Sequence, residues 1–167
     1  IGPITSPAYR SNPNDRPCPN ADIAKAKKYL ANAGYATGLT IKSIVAPTQF
    51  ATASAIAQSL KSQLAKAGIT LELELVDDST FISRWLAADF ATAIANNGGR
   101  IDPDTMYTRY FTSTGNLNKV AGYSSATLDA LFIKGKSTSK VAERKAAYRA
   151  ISEELENNAV WIWLFAP

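Results

Sequence analysis

Histidine is missing altogether from this sequence of 167 residues, and cysteine and methionine occur once each. The first absence removes the commonest general base and the commonest metal ligand together. One cysteine cannot form an internal disulfide. Cys18, flanked by Pro17 and Pro19 and with only Arg16 nearby to favour a thiolate, reads as an incidental thiol and not as a nucleophile. The chain starts without Met and without a charged, apolar leader, so either a signal peptide has been removed or this is a piece of a longer protein. Long apolar runs are missing too: the longest, residues 159 to 166, is far too short to cross a bilayer. No internal repeat and no low-complexity tract interrupts the sequence.

The residues that are present, 46% hydrophobic and 19% charged, describe an ordinary globular chain. At this length a single domain buries about two thirds of the surface its unfolded form exposes, so no metal or disulfide is needed for folding. A net charge of +4 invites a nucleic-acid reading, which requires Lys and Arg gathered on one face. The densest basic stretch, residues 134 to 149, also holds Glu143 and reads as the solvated side of helices, so nucleic acid is not an expected partner.

Residues 1 to 20 hold five prolines with Asn12, Asn14 and Asn20 between them, which predicts an extended arm or linker. From Asp22, Ile23, Ala26, Leu30 and Ala33 make a helical stripe closed by Gly34. Residues 39 to 46 are rich in β-branched residues and stop at Pro47. A longer helix is expected from about Thr52, where Ala53, Ile56, Ala57, Leu60, Leu64 and Ala67 recur at three and four residues before Gly68. In residues 69 to 77, Ile69, Leu71, Leu73 and Leu75 alternate with polar residues, the pattern of a strand buried on one face. Strand, helix and strand with so long a connection predict a parallel βαβ unit. Asp78 and Ser79 are candidate caps for a helix carrying Phe81, Ile82, Trp85 and Leu86, and Phe90 opens a third strand. Further on come a helix over residues 104 to 111, a Gly/Asn-rich loop, a helical stretch with Leu128, Leu131 and Phe132, and a long helix from near Ser139. That last helix is expected to bury Val141, Tyr148, Ile151 and Leu155, and a final strand spans residues 160 to 165. Tyr107, Tyr110 and Phe111, and the alternating Trp161 and Trp163, read as packing residues before ligand-stacking ones. The expected fold class is α/β, a mixed but mostly parallel sheet flanked by helices.

The stretch from Phe90 to Tyr107 organises the functional reading. An alanine-rich strand runs into Asn96, Asn97, Gly98, Gly99 and Arg100, after which Asp102, Pro103 and Asp104 open a helix. In open α/β sheets small ligands bind outside the carboxyl ends of the strands, where this loop falls. Gly98 and Gly99 form either a phosphate nest or a tight turn at positive φ. Arg100 can grip a carboxylate or phosphate through two parallel hydrogen bonds, or pair with Asp102 or Asp104. Asp102 and Asp104 lack the oxygen count and spacing of a calcium loop, and a capping role for Asp104 is favoured. Asp77 and Asp78 either cap the next helix or face the crevice. Ser137 and Lys140 match the S-x-x-K spacing of a lysine-activated serine, but the companion Ser-Asp-Asn and Lys-Thr-Gly elements are missing; a helix cap is the plainer reading.

Five signatures in order resemble the second lobe of extracytoplasmic solute-binding proteins of ABC transporters, in the peptide, nickel and opine class. They are PNADIAKAKKYLANAGY over residues 19 to 35 with Gly38; LAKAGITL over residues 64 to 71; Asp102-Pro103-Asp104; Asn116 and Asn118 before Tyr123 and Asp129; and Arg144 with Tyr148. Together they cover nearly the whole chain. The resemblance implies a type II periplasmic-binding-protein lobe over residues 21 to 167, whose partner lobe is absent. It also implies a periplasmic, monomeric, non-enzymatic protein that shuts around a solute and presents it to a membrane permease, with no cofactor or metal. The ligand-binding residues expected are Asn96, Asn97, Gly98, Gly99, Arg100 and Asp102. In peptide-binding members an aspartate just ahead of the Asp-Pro element captures the ligand's ammonium group; Gly99 stands there, which points instead to an anionic or polyhydroxylated solute. Two other readings stand beside this one: an effector-sensing domain of a transcriptional regulator, and a hydrolase built on Ser137 and Lys140.

Overall fold

A computed structural model of the chain describes residues 21–97 and 102–164. The arm expected over residues 1 to 20, with Cys18, lies outside the described residues, as do Gly98, Gly99, Arg100 and Phe165. The described residues fall into two compact units, 21–97 and 102–164.

The first unit is the expected β-α-β-α-β run. Helix α1 (Ile23–Asn32) is capped by Asp22, whose carboxylate accepts from the Lys25 N–H at 2.8 Å. Its inward stripe is Ile23, Ala26 and Leu30, and Gly34 ends it at φ +89°. Strand β1 (Leu39–Val45) leads through α2 (Ala53–Lys66) to β2 (Ile69–Leu75), then through α3 (Asp78–Ala87) to β3 (Thr92–Ile94). The strand order is β2-β1-β3, and β1 pairs parallel with both neighbours.

Alternate residues of a strand point to opposite faces, and here both faces of β1 are covered. Val45 and Ile94 pack on one side against Ala53 and Ala57 of α2, whose short side chains let the helix lie close to the sheet. Ile44 and Ala46 pack on the other side against Phe81 of α3, with Trp85, Phe90 and Ala93 around them. Residues 44 to 46 are therefore apolar without alternation. Strand β2 lies at the edge of this sheet: Leu71 is buried and Leu73 half-buried, but Leu75, expected inside, is 64% exposed. On α3 only Phe81 and Trp85 turn inward, while Ile82 and Leu86 are exposed. Phe90 does not begin the third strand. Ala88 takes the left-handed conformation at φ 59° and the Asp89 N–H closes onto the Arg84 carbonyl, so the chain is still completing the helix end there.

The second unit is helical: α4 (Pro103–Phe111), α5 (Asn118–Ala121), α6 (Ala126–Lys136) and α7 (Val141–Asn157). The short α5 arises in the loop expected to be irregular. The Asn118 amide explains it, donating to the Tyr110 carbonyl at 3.0 Å and to the Tyr123 carbonyl at 2.8 Å, so that one side chain ties α4 to the stretch before α6. The core is aromatic. Phe111, fully buried, has its ring centroid 4.8 Å from that of Trp161, which stands 5.1 Å from Tyr110; Trp163 meets Tyr107 edge-on at 6.1 Å. Burial without a hydrogen-bond partner pushes the Tyr107 hydroxyl up to about 12.

Two expectations fail in this unit. No strand forms over the described residues 160 to 164, because Ala159 sits at φ 48° and the Val160 N–H bonds back to the Leu155 carbonyl as α7 ends. The alternation survives nonetheless: both indoles join the aromatic cluster, while Ile162 and Leu164 are exposed. Val141 is 61% exposed, since α7 starts with it, whereas Tyr148, Ile151 and Leu155 are buried as expected.

Candidate functional site

Three parallel strands in register must end together. Val45 lies opposite both Leu75 and Ile94, so the segments after β1, β2 and β3 all emerge at one edge of the sheet. The chain leaves β1 to α2 on one face, returns in β2, and crosses by α3 on the other face to β3. That reversal about β1 makes this edge the place where an open α/β sheet offers a crevice.

Asn96 and Asn97 follow β3 at this edge, the first exposed and the second half-buried. The segment after β1 brings Thr48, whose hydroxyl donates to the Asp78 carboxylate at 2.9 Å. It also brings Gln49, whose amide oxygen is buried with no hydrogen-bond partner. The ambiguity between the two aspartates after β2 is resolved by their partners. Asp77, not Asp78 or Ser79, caps α3: it accepts from the Ser79 hydroxyl, from the Thr80 N–H at 2.9 Å and from the Thr80 hydroxyl at 2.6 Å. Those donors, the Ser79 hydroxyl foremost, hold its carboxyl below the ordinary carboxylate range. Asp78 is left to reach across to the segment after β1.

In the helical unit Asp102, not Asp104, is the cap of α4. It accepts from the Asp104 N–H at 2.9 Å, and Pro103 takes the first helical position, where a missing N–H costs nothing. Both Asp102 oxygens also accept from Arg144 Nη2, at 3.0 and 2.8 Å. Arg144 Nη1 donates to the Gly135 carbonyl at 3.0 Å, and the guanidinium lies 5.3 Å from the Tyr148 ring centroid. The Tyr148 hydroxyl in turn donates to Asp104 at 3.4 Å; burial first, and then the Asp104 charge, raise it well above the ordinary tyrosine value. One arginine thus joins the start of α4, the end of α6 and the first turns of α7. Asp102, expected among the ligand-binding residues, spends its carboxylate on this junction. The signal that could have paired it with Arg144 was not in either motif alone, since 42 residues separate them.

Ser137 ends α6 as its C-cap, its hydroxyl donating to the Ile133 carbonyl at 2.6 Å, and Lys140 pairs with Glu143 at 3.0 Å. Each of the two side chains thus has a partner other than the other one. Among the described residues no group of three or more His, Cys, Asp and Glu could hold a metal ion, and no helix is long and apolar enough to cross a membrane.

The family model for bacterial extracellular solute-binding proteins, family 5 Middle, matches residues 1–118. The chain belongs to this family. Its solved relatives include the ABC transporter-associated periplasmic binding protein DppA from Helicobacter pylori in complex with peptide STSA, at TM-score 0.80 and 27% identity over 95% of this chain and 31% of that one. The ABC transporter substrate-binding protein CtaP from Listeria monocytogenes matches at TM-score 0.76 and 26% identity, over 94% of this chain and 32% of its own. The binding protein AgaA from A. tumefacien R10, in complex with agropinic acid, shares the fold at TM-score 0.75 and 24% identity, over 92% of this chain and 31% of its own. No curated protein matches the sequence. The chain spans about a third of the length of these solved relatives. The resemblance read from the sequence is met, as is the expected lobe fold, and nothing favours the domain of a transcriptional regulator.

Proposed function

We propose that this family 5 chain is one lobe of the solute-binding protein of an ABC importer, with residues 21 to 167 forming the lobe and the rest of the protein supplying its counterpart. The full-length protein captures a small solute, peptide-like, opine or another polar or anionic compound, between two lobes and delivers it to the permease in the membrane. It binds without catalysis, outside the cytoplasm, as a monomer. Asn96, Asn97, Gly98, Gly99 and Arg100 line one wall of the cleft, and Asp102 serves it by holding the residue at which this segment enters α4. The observation that carries the reading is the family match over residues 1–118, which takes in the segment after β3 at the carboxyl edge of a parallel sheet. DppA and AgaA, in complex with a peptide and with agropinic acid, support short peptides and opines as the first solutes to try. Gly99, in the place of the ammonium-binding aspartate, favours the opines and other anions.

A thermal-shift screen of the full-length protein against short peptides, opines and dicarboxylic acids tests this. A bound solute at a hundredfold excess over Kd adds about 2.7 kcal/mol to apparent stability. The isolated chain, with one wall, should give no shift with the same solute. Tight binding by residues 1 to 167 alone, measured by calorimetry, would sink the two-wall mechanism.

A further inference from the structure

Among the described residues at the carboxyl edge of the sheet, Gln49 has an amide oxygen that is buried with no hydrogen-bond partner, while its neighbour Thr48 is fixed. The turn after β1 is set by its own backbone, the Gln49 N–H donating to the Ala46 carbonyl at 3.2 Å, and by Thr48, tied to Asp78 across the edge. These bonds fix the backbone from which the Gln49 side chain projects. A buried acceptor with no donor keeps the desolvation penalty of its oxygen uncompensated, a standing cost that folding alone does not explain. The register places Gln49 four residues beyond Val45 and Asn97 three beyond Ile94, its paired neighbour, so both follow adjacent strands out of the same carboxyl edge.

We infer that Gln49 is a specificity-determining residue of the solute site, whose amide oxygen accepts a hydrogen bond from an N–H group of the solute. The inference rests on the proposed solute-binding role and deepens it: the preferred solute carries an amide or ammonium N–H as well as any anionic group. The Asp78 carboxylate, at the end of the neighbouring strand β2 and bonded to Thr48, gives this corner of the edge a negative sign that suits such a donor. Dicarboxylates without nitrogen bind through other contacts and leave Gln49 unsatisfied.

The test uses the full-length protein and two variants, Gln49→Met and Gln49→Glu, with tetra-alanine, an opine and succinate as probes. Gln49→Met keeps the length of the side chain and removes the acceptor. Without solute its Tm should equal or exceed that of the unaltered protein, because an unsatisfied oxygen has been removed. Its affinity for the nitrogen-bearing probes should fall about tenfold or more, with the succinate response unchanged. Gln49→Glu, which keeps an acceptor and adds a charge, should hold or raise affinity for tetra-alanine relative to succinate. A Tm for Gln49→Met several degrees below the unaltered protein would show that the oxygen already has a partner, and would overturn the inference. An unchanged affinity for tetra-alanine and for the opine would overturn it as well. If no probe shifts the unaltered protein, the solute-binding reading fails with these solutes and the inference falls with it; a shift that the variant retains sinks the inference alone.

Discussion

In residues 21–97 the contacts between the sheet and α2 are small and aliphatic, with Phe81 buried on the opposite face, and the backbone ladder of β1 with its two neighbours does the aligning. In residues 102–164 no ladder exists among the described residues; large rings interlock, and one guanidinium joins three helices. The two units therefore respond to damage differently. A sheet fixes register through many equivalent hydrogen bonds, so no single side chain dominates. A small helical unit depends on a few large contacts and on the satisfaction of its few buried polar groups.

Removing the centre of the aromatic cluster should do the most harm. Phe111→Ala deletes a fully buried ring and should cost about 3–5 kcal/mol in urea unfolding. A loss under 1 kcal/mol would mean that the neighbouring rings collapse into the space as freely as aliphatic chains, and the contrast between the units would dissolve.

Two glycine substitutions sharpen the comparison at the next level. A Cβ at Gly135 would meet the Tyr148 ring at 2.9 Å and displace the platform on which Arg144 rests. Gly135→Ala should therefore cost about 1–3 kcal/mol by overpacking. In the sheet unit, Gly38 holds φ +109° directly before β1, and a Cβ there would meet the Gly68 carbonyl oxygen at 2.9 Å, just before β2. Gly38→Ala should cost a similar amount, about 1–3 kcal/mol, through backbone strain and not through side-chain packing. Calorimetric unfolding of both variants, with hydrogen exchange of the β1 and β2 amides, separates the two causes: only Gly38→Ala should raise exchange in the ladder.

Arg144→Gln comes third. The pair with Asp102 is partly exposed, 25% and 50% for the two side chains, so after discounting for solvent screening the loss should be about 1–2 kcal/mol. Asp102→Asn should lose about as much, and the double substitution should lose less than the sum of the two. Strict additivity would show that the guanidinium and the carboxylate do not support each other.

The smallest expected effects are in pH. Asp77, bonded by Ser79 and Thr80, has its carboxyl held below the ordinary value of 3.8; Glu143, bonded by Thr138 and then Lys140, is held below 4.5. A depressed folded-state value means that the contribution is present above those ordinary values and is lost as pH falls beneath them. Stability should accordingly decline in acid below about pH 4, and Asp77→Asn should flatten part of that decline. The tyrosines act at the other end. Tyr107 is raised by burial from 10.0 to about 12, so its neutral form contributes fully below pH 10 and the contribution fades as pH rises towards 12. Tyr148 is raised as well, by burial and then by the Asp104 charge. Both tyrosines belong to the helical unit, and fluorescence of Trp161 and Trp163 should report its alkaline loosening.

The parallel βαβαβ order, the α2 stripe and the capping glycines were legible because each is a local repeat: a period of two or of three to four residues, closed by a residue that tolerates positive φ. Asn96 and Asn97 were legible as the residues after β3 for the same reason. The cap of α3 was left open among Asp77, Asp78 and Ser79, and that of α4 was misplaced by two residues, since Asp77 and Asp78, or Asp102 and Asp104, are equivalent to any local rule. The final strand was misread because alternating Trp161, Ile162, Trp163 and Leu164 satisfies the strand pattern, whether or not another strand is there to pair with it.

By itself, then, the sequence determined the kinds of element, their order and the family to which the chain belongs, because periodicity and turn chemistry act over a few neighbouring residues. Tertiary structure alone decided that Asp102 would be spent on Arg144, that Thr48 would tie the turn after β1 to Asp78, and that Gln49 would keep a buried oxygen without a donor. Those outcomes depend on which distant groups arrive within about 3 Å of one another, a separation set by helix packing and strand register.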